Sequence, residues 1–136
     1  MPSIQHELKI TAPESAVIKA LTTDQHLARW HGAKVTEDAG ILRLEYPSGV
    51  IFRWHVTNPA PNRIVWRCLE GPGKAAGSEA AFLLSDAGGG RTLVQFEHSG
   101  WSANDPSYRK CNTLWGLLLH QLQQHLAPAQ IHLTRM

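Results

Sequence analysis

The chain has 136 residues, a length that fits one domain with a sizeable core. Its 13 Lys and Arg against 11 Asp and Glu leave a formal net charge of +2, and the basic residues are scattered. That excludes a stripe able to track a phosphate backbone, so no nucleic acid is expected; the longest apolar run, Leu114 to Leu119, is far too short to span a membrane.

Met1 to Glu7 has no basic-then-apolar signal pattern. Ile4, His6, Leu8 and Ile10 alternate with Gln5, Glu7 and Lys9, which predicts a half-buried strand. Thr11-Ala12-Pro13-Glu14 then opens a helix, with proline near its first position and an acidic residue in the first turn. Val17, Ala20 and Leu21 form its apolar face. Thr22-Thr23-Asp24 interrupts it, and Asp24 is expected to cap a second short helix carrying Leu27 and Trp30.

From Ala33 onward the pattern is strands and turns. Leu42, Leu44 and Tyr46 share a face, followed by a tight turn at Pro47-Ser48-Gly49. Val50, Phe52, Trp54 and Val56 face one way, and Ile51, Arg53, His55 and Thr57 the other. A turn is expected over Asn58 to Asn62. Ile64, Trp66 and Cys68 make the next apolar face, and Gly71 to Gly77 is the longest flexible stretch. Ala80, Phe82 and Leu84 precede a turn at Asp86 to Gly90, and Val94, Phe96 and His98 close the series. Turns at about ten-residue spacing predict an antiparallel meander of about six strands.

Asp105-Pro106 signals the start of a long helix. Apolar residues recur at Cys111, Leu114, Trp115, Leu118, Leu119, Leu122 and Leu126, and Pro128 stops the run. About 20 residues at 1.5 Å rise give a rod of about 30 Å. Gly116 interrupts the pattern, and a small residue there lets another backbone approach. The predicted class is α+β: a curved antiparallel sheet wrapped around a long C-terminal helix, with two short helices after the first strand. No linker divides the chain, so residues 1–136 are read as a single domain.

Four stretches together resemble the START-like SRPBCC superfamily. They are Ile10-Thr11-Ala12-Pro13-Glu14 through Val17, Ala20-Leu21-Thr22, Leu27 and Trp30; Val50 to Val56; Val94 to Trp101; and Trp115 with Leu118 and Leu122. Within it the chain is similar to the branch of the C-terminal domain of the Hsp90 ATPase activator. The resemblance implies a helix-grip fold of the START/Bet v 1 type, with a pocket between sheet and last helix. It also implies a range of roles: lipid and sterol carriage, polyketide cyclisation, hormone binding and stress co-chaperoning.

Alternation places Phe52, Trp54, Trp66, Phe96 and His98 on the inward sheet face. Trp30, Cys111, Trp115, Leu118 and Leu122 close the other side, and Trp101 follows the last strand. These side chains either line a ligand cavity or fill a solid core. His98 ends its strand on the apolar face, where it either orients a ligand and serves as acid or base, or bonds to backbone or water. No metal or cofactor is expected: His26 and His31, like His120 and His125, are five apart and point to different helix faces. Cys68 and Cys111 read as free thiols in a reducing compartment, with the cytoplasm as the expected location.

The leading functional expectation is binding of a small hydrophobic or aromatic ligand, such as a lipid, sterol or polyketide. The alternatives are a cyclase or dehydratase-like enzyme using His98 and a co-chaperone similar to the Hsp90 activator. A homodimer is left open.

Overall fold

The computed structural model describes residues 3–72, 75–100 and 107–126, with side chains of the last segment from residue 111. The expected start and stop residues of the long helix, Asp105, Pro106 and Pro128, lie outside the described residues, as does Trp101. In chain order the elements are β1 (Ile4–Ile10), α1 (Glu14–Thr22), α2 (Asp24–His31) and β2 (Lys34–Asp38). They continue with β3 (Ile41–Glu45), β4 (Ile51–Ala60), β5 (Arg63–Glu70), β6 (Glu79–Gly88), β7 (Arg91–Ser99) and α3 (Ser107–His125).

The seven strands form one antiparallel sheet in the order β1-β7-β6-β5-β4-β3-β2. Strands β1 and β2, consecutive in sequence, therefore lie at opposite edges. Helices α1 and α2 carry the chain across, and α3 packs against α2 and β1. The result is the helix-grip arrangement.

Register explains the core. Ile4 pairs with His98, His6 with Phe96, Leu8 with Val94 and Ile10 with Thr92, so the even-numbered residues of β1 share the concave face. Phe82 lies opposite Phe96, and Trp66 opposite Ala80, where the small residue leaves room for the indole. Trp66, Phe82, Phe96 and Trp115 then converge, with Phe96 and Trp115 ring centroids 4.5 Å apart.

Two buried indoles finish α1. A helix end leaves carbonyls that need donors. Thr22 Oγ1 donates to Ile18 O at 2.7 Å, and Thr23 N to Lys19 O at 3.1 Å. Trp30 Nε1 donates to Ala20 O at 2.8 Å, and Trp66 Nε1 to Leu21 O at 3.1 Å. These tryptophans pin α1 to α2 and to the middle of the sheet.

Several local expectations are corrected. Thr23, not Asp24, is the N-cap of α2; the Asp24 carboxylate instead accepts from the Gln25 amide one residue on, at 2.8 Å. Strand β4 runs through Pro59 to Ala60, leaving Pro61–Asn62 as the turn, and a register shift between Thr57 and Ala60 accommodates the missing proline donor. Strand β6 continues to Gly88, and its hairpin is Gly89–Gly90, with φ of 63° and 76° as a tight primed turn requires.

The α3 stripe is narrower than its spacing implies. Trp115, Leu119 and Leu122 are buried and Cys111, Leu118 and Leu126 half-buried, but Leu114 is 46% exposed. At about 100° per residue Leu114 sits a quarter-turn off the line from Trp115 to Leu122. Gly116 meets a side chain rather than a backbone: a Cβ there would lie 3.5 Å from His6 Cε1.

Candidate functional site

The concave face is not filled along its whole length. A cavity of about 520 Å³ lies between the β3–β4 end of the sheet and α3. Val50, just before β4, and Phe52 and Trp54 of β4 form one wall, with the Phe52 and Trp54 rings stacked at 5.7 Å and 7°. Cys111, Leu114, Trp115, Leu117, Leu118 and Gln121 of α3 form the other. His31, Tyr46, Pro47, Ser48, Ala75 and His98 also line it, and no Asp, Glu, Lys or Arg contributes among the described residues. Leu114, Leu117 and Val50 are exposed at its rim.

Two histidines border the cavity, each in its own bonded arrangement. Trp115 Nε1 donates to His98 Nδ1 at 2.8 Å. An indole only donates, so Nδ1 is the acceptor and the ring proton sits on Nε2. That proton points to Ser78 Oγ at 2.8 Å, and Ser78 in turn donates to Ala75 O at 2.6 Å. Burial pushes the His98 pKa down to about 4. The chain of donors runs one way and holds His98 neutral.

His31 Nδ1 lies 2.7 Å from the Tyr46 hydroxyl. Its ring packs on Trp30 and Trp66, with centroids 4.0 and 5.6 Å away. Burial lowers its pKa to about 3 and raises that of Tyr46. The other nitrogen, Nε2, is buried with no hydrogen-bond partner among the described residues.

Of the residues expected in a ligand wall, Phe52, Trp54, His98, Cys111, Trp115 and Leu118 come together around this cavity. Trp30, Trp66, Phe96 and Leu122 do not. They are 0–2% exposed in the packed core, and the first two spend their indole donors on α1. The inward face is thus divided, one part sealed by α1 and the buried α3 stripe, the other left open under the Cys111–Gln121 stretch of α3. Leu114, on the cavity flank of α3, belongs to the second part.

A second hollow, about 470 Å³, is bordered by Gln5, Glu7, Arg63, Gln95 and Glu97. Their side chains are exposed and several bond to one another, as a solvated sheet surface does. Among the described residues no group of three or more His, Cys, Asp or Glu is placed to hold a metal. Cys68 and Cys111 are not joined in a disulfide, and burial pushes the Cys68 pKa up to about 11. No helix among the described residues is long and apolar enough to cross a membrane.

A family model described as activator of Hsp90 ATPase homolog 1-like protein matches residues 11–127. The chain belongs to this family. Among solved structures, this activator-like chain is similar to the Aha1 dimer from Colwellia psychrerythraea in solution. That likeness has a TM-score of 0.80 at 26% identity and covers 93% of this chain and 96% of that one. A START superfamily protein from Mycobacterium smegmatis shares the fold at TM-score 0.73 and 15% identity, covering 91% and 96% of the two chains. DynU16, a protein from the dynemicin biosynthetic locus, shares it at TM-score 0.72 and 19% identity; the match covers 91% of this chain and 46% of DynU16. No curated protein matches the sequence. The activator-like family and these folds bear out the START-like resemblance.

Sequence reasoning missed His31, Tyr46, Ala75, Leu117 and Gln121 as parts of the activator-like chain's cavity. Tyr46 carried a signal, since it continues the inward alternation of Leu42 and Leu44. His31 carried none: it directly follows a core tryptophan at the end of α2.

Proposed function

We propose that this chain binds a small, largely apolar molecule in the cavity between β4 and α3, without catalysing a reaction on it. The observation that carries this reading is a hollow of about 520 Å³ with stacked aromatics on one wall and leucines on the other. Concave apolar volumes of this size with few polar groups suit such ligands. An acid–base role for His98 is not favoured, because both ring nitrogens are engaged by Trp115 and Ser78. A thermal-shift panel of lipids, sterols, flavonoids and polyketides tests the reading. A ligand at 100 times its Kd adds about 2.7 kcal/mol and raises Tm by several degrees. A panel with no shift contradicts it.

We further infer that residues 1–136 work as one domain in a reducing, cytoplasmic setting, in keeping with two cysteines that form no disulfide. A second copy is the expected macromolecular partner, because the similar Colwellia protein is described as a dimer. Sedimentation equilibrium showing only the 15.1 kDa species at high concentration contradicts that pairing. The family's name supports a second reading, a co-chaperone that stimulates the Hsp90 ATPase. An ATPase assay with and without the chain separates it from ligand binding.

A further inference from the structure

We propose that the His31–Tyr46 pair is the specificity-determining hydrogen-bond anchor of the cavity, selecting an uncharged, largely apolar molecule that carries one hydroxyl or carbonyl oxygen. This rests on the ligand-binding reading above and adds which ligand chemistry is chosen and by which residues.

Of the other polar groups nearby, Gln121 lies across the cavity on α3, and the rest are bonded or exposed. Trp115, His98, Ser78 and Ala75 O form a closed run of donors and acceptors. Ser48 is exposed at the rim. The His31–Tyr46 pair differs. Its two partners bond to each other at 2.7 Å, and Tyr46, which lines the cavity, keeps hydrogen-bonding capacity at its hydroxyl beyond that one bond.

The pair can answer either polarity of ligand oxygen. If the phenol donates to Nδ1, the phenol oxygen keeps a lone pair that accepts from a ligand hydroxyl. If Nδ1 donates to the phenol oxygen, the phenol proton is released to donate to a ligand carbonyl. The two states differ by which ring nitrogen holds the proton and by where the phenol proton points. Phe52 lies edge-on to Tyr46 with ring centroids 6.1 Å apart, so an aromatic ligand body on the Phe52–Trp54 stack would bring its oxygen to this pair. A charged group finds no counterion among the described lining residues, none of which is Asp, Glu, Lys or Arg. Burying it unpaired is strongly unfavourable.

Three naphthalene probes share one body and test this on the full chain by calorimetry at neutral pH: 2-naphthol, 2-methylnaphthalene and 2-naphthoate. The expected order is 2-naphthol about tenfold tighter than 2-methylnaphthalene, with 2-naphthoate weakest. In Tyr46→Phe the preference for naphthol over methylnaphthalene should collapse toward onefold, with folding checked by circular dichroism. The wild-type comparison stands even if that variant fails to fold. Equal wild-type affinity for naphthol and methylnaphthalene, or naphthoate binding as tightly as naphthol, overturns the anchor and leaves the ligand-binding reading intact. So does a preference that survives in folded Tyr46→Phe. If none of the three binds, both inferences fall together.

Discussion

Trp115 and His98 are joined by a hydrogen bond of 2.8 Å that spans the space between α3 and the sheet. It fastens the terminal helix to β7 at the edge of the cavity and sets the tautomer of the histidine. Because the indole can only donate, protonating His98 at Nδ1 would break the link.

Replacing Trp115 with Phe should therefore loosen α3. The acceptor left at His98 and the lost packing destabilise the fold by about 1–3 kcal/mol. Urea unfolding of Trp115→Phe, His98→Gln and the double variant gives the coupling directly. Additive effects would mean the bond contributes nothing.

Acid should unfold this protein early. His31 and His98 have folded pKa values near 3 and 4, below the ordinary histidine value of 6.5, because burial disfavours the imidazolium. The unfolded chain then binds more protons than the folded one across this window, so stability falls as pH drops. The contribution is complete above about pH 6.5 and is lost progressively between there and about pH 3–4. At about 1.4 kcal/mol per pKa unit, the two sites represent several kcal/mol, a large share of a typical 5–15 kcal/mol. Urea midpoints that stay flat from pH 7 to pH 4 would contradict this.

Trp66 and Trp54 should behave differently although both are buried. Trp66→Phe leaves Leu21 O without its donor and opens a gap beside Ala80, destabilising by about 2–4 kcal/mol. Ligand affinity in the folded fraction should hold, because Trp66 is outside the cavity wall. Trp54→Ala should weaken ligand binding outright. A matched pair of unfolding and binding titrations separates the two effects.

Two glycines invite opposite results. A Cβ at Gly71 would stand 2.9 Å from the Phe52 ring, so Gly71→Ala should push that ring toward the cavity and weaken ligand binding. A Cβ at Gly116 meets only ordinary contact with His6 at 3.5 Å. Gly116→Ala should stabilise α3 by up to about 1 kcal/mol. Equal melting temperatures for Gly116→Ala and the parent would show that the helix gains nothing there.

The strands and helices were legible because alternation and three-to-four spacing are local signals. Residues 50 to 56 and 92 to 98 declare their faces within a few positions. The division of the inward face was not legible. Trp66 and Trp54 occupy equivalent inward positions in sequence, yet only Trp66 reaches Leu21, 45 residues earlier, and is drawn into the core. Trp30 is similarly claimed by Ala20 O. Such partners depend on how α1 crosses the sheet, which no local spacing reports. Leu114 looked like a core position for the same reason: its distance from Trp115 around the helix matters only once the cavity beside it is known.

The central claim is that a molecule sits between β4 and the Cys111–Gln121 stretch of α3. Titrating a neutral aromatic ligand while following amide and indole NMR signals tests it most directly. Saturable shifts should appear at Phe52, Trp54, Leu118 and the Trp115 indole N–H, with the Trp66 indole moving little. Absence of saturable shifts, or shifts confined to the Gln5, Gln95 and Glu97 side of the sheet, would contradict it.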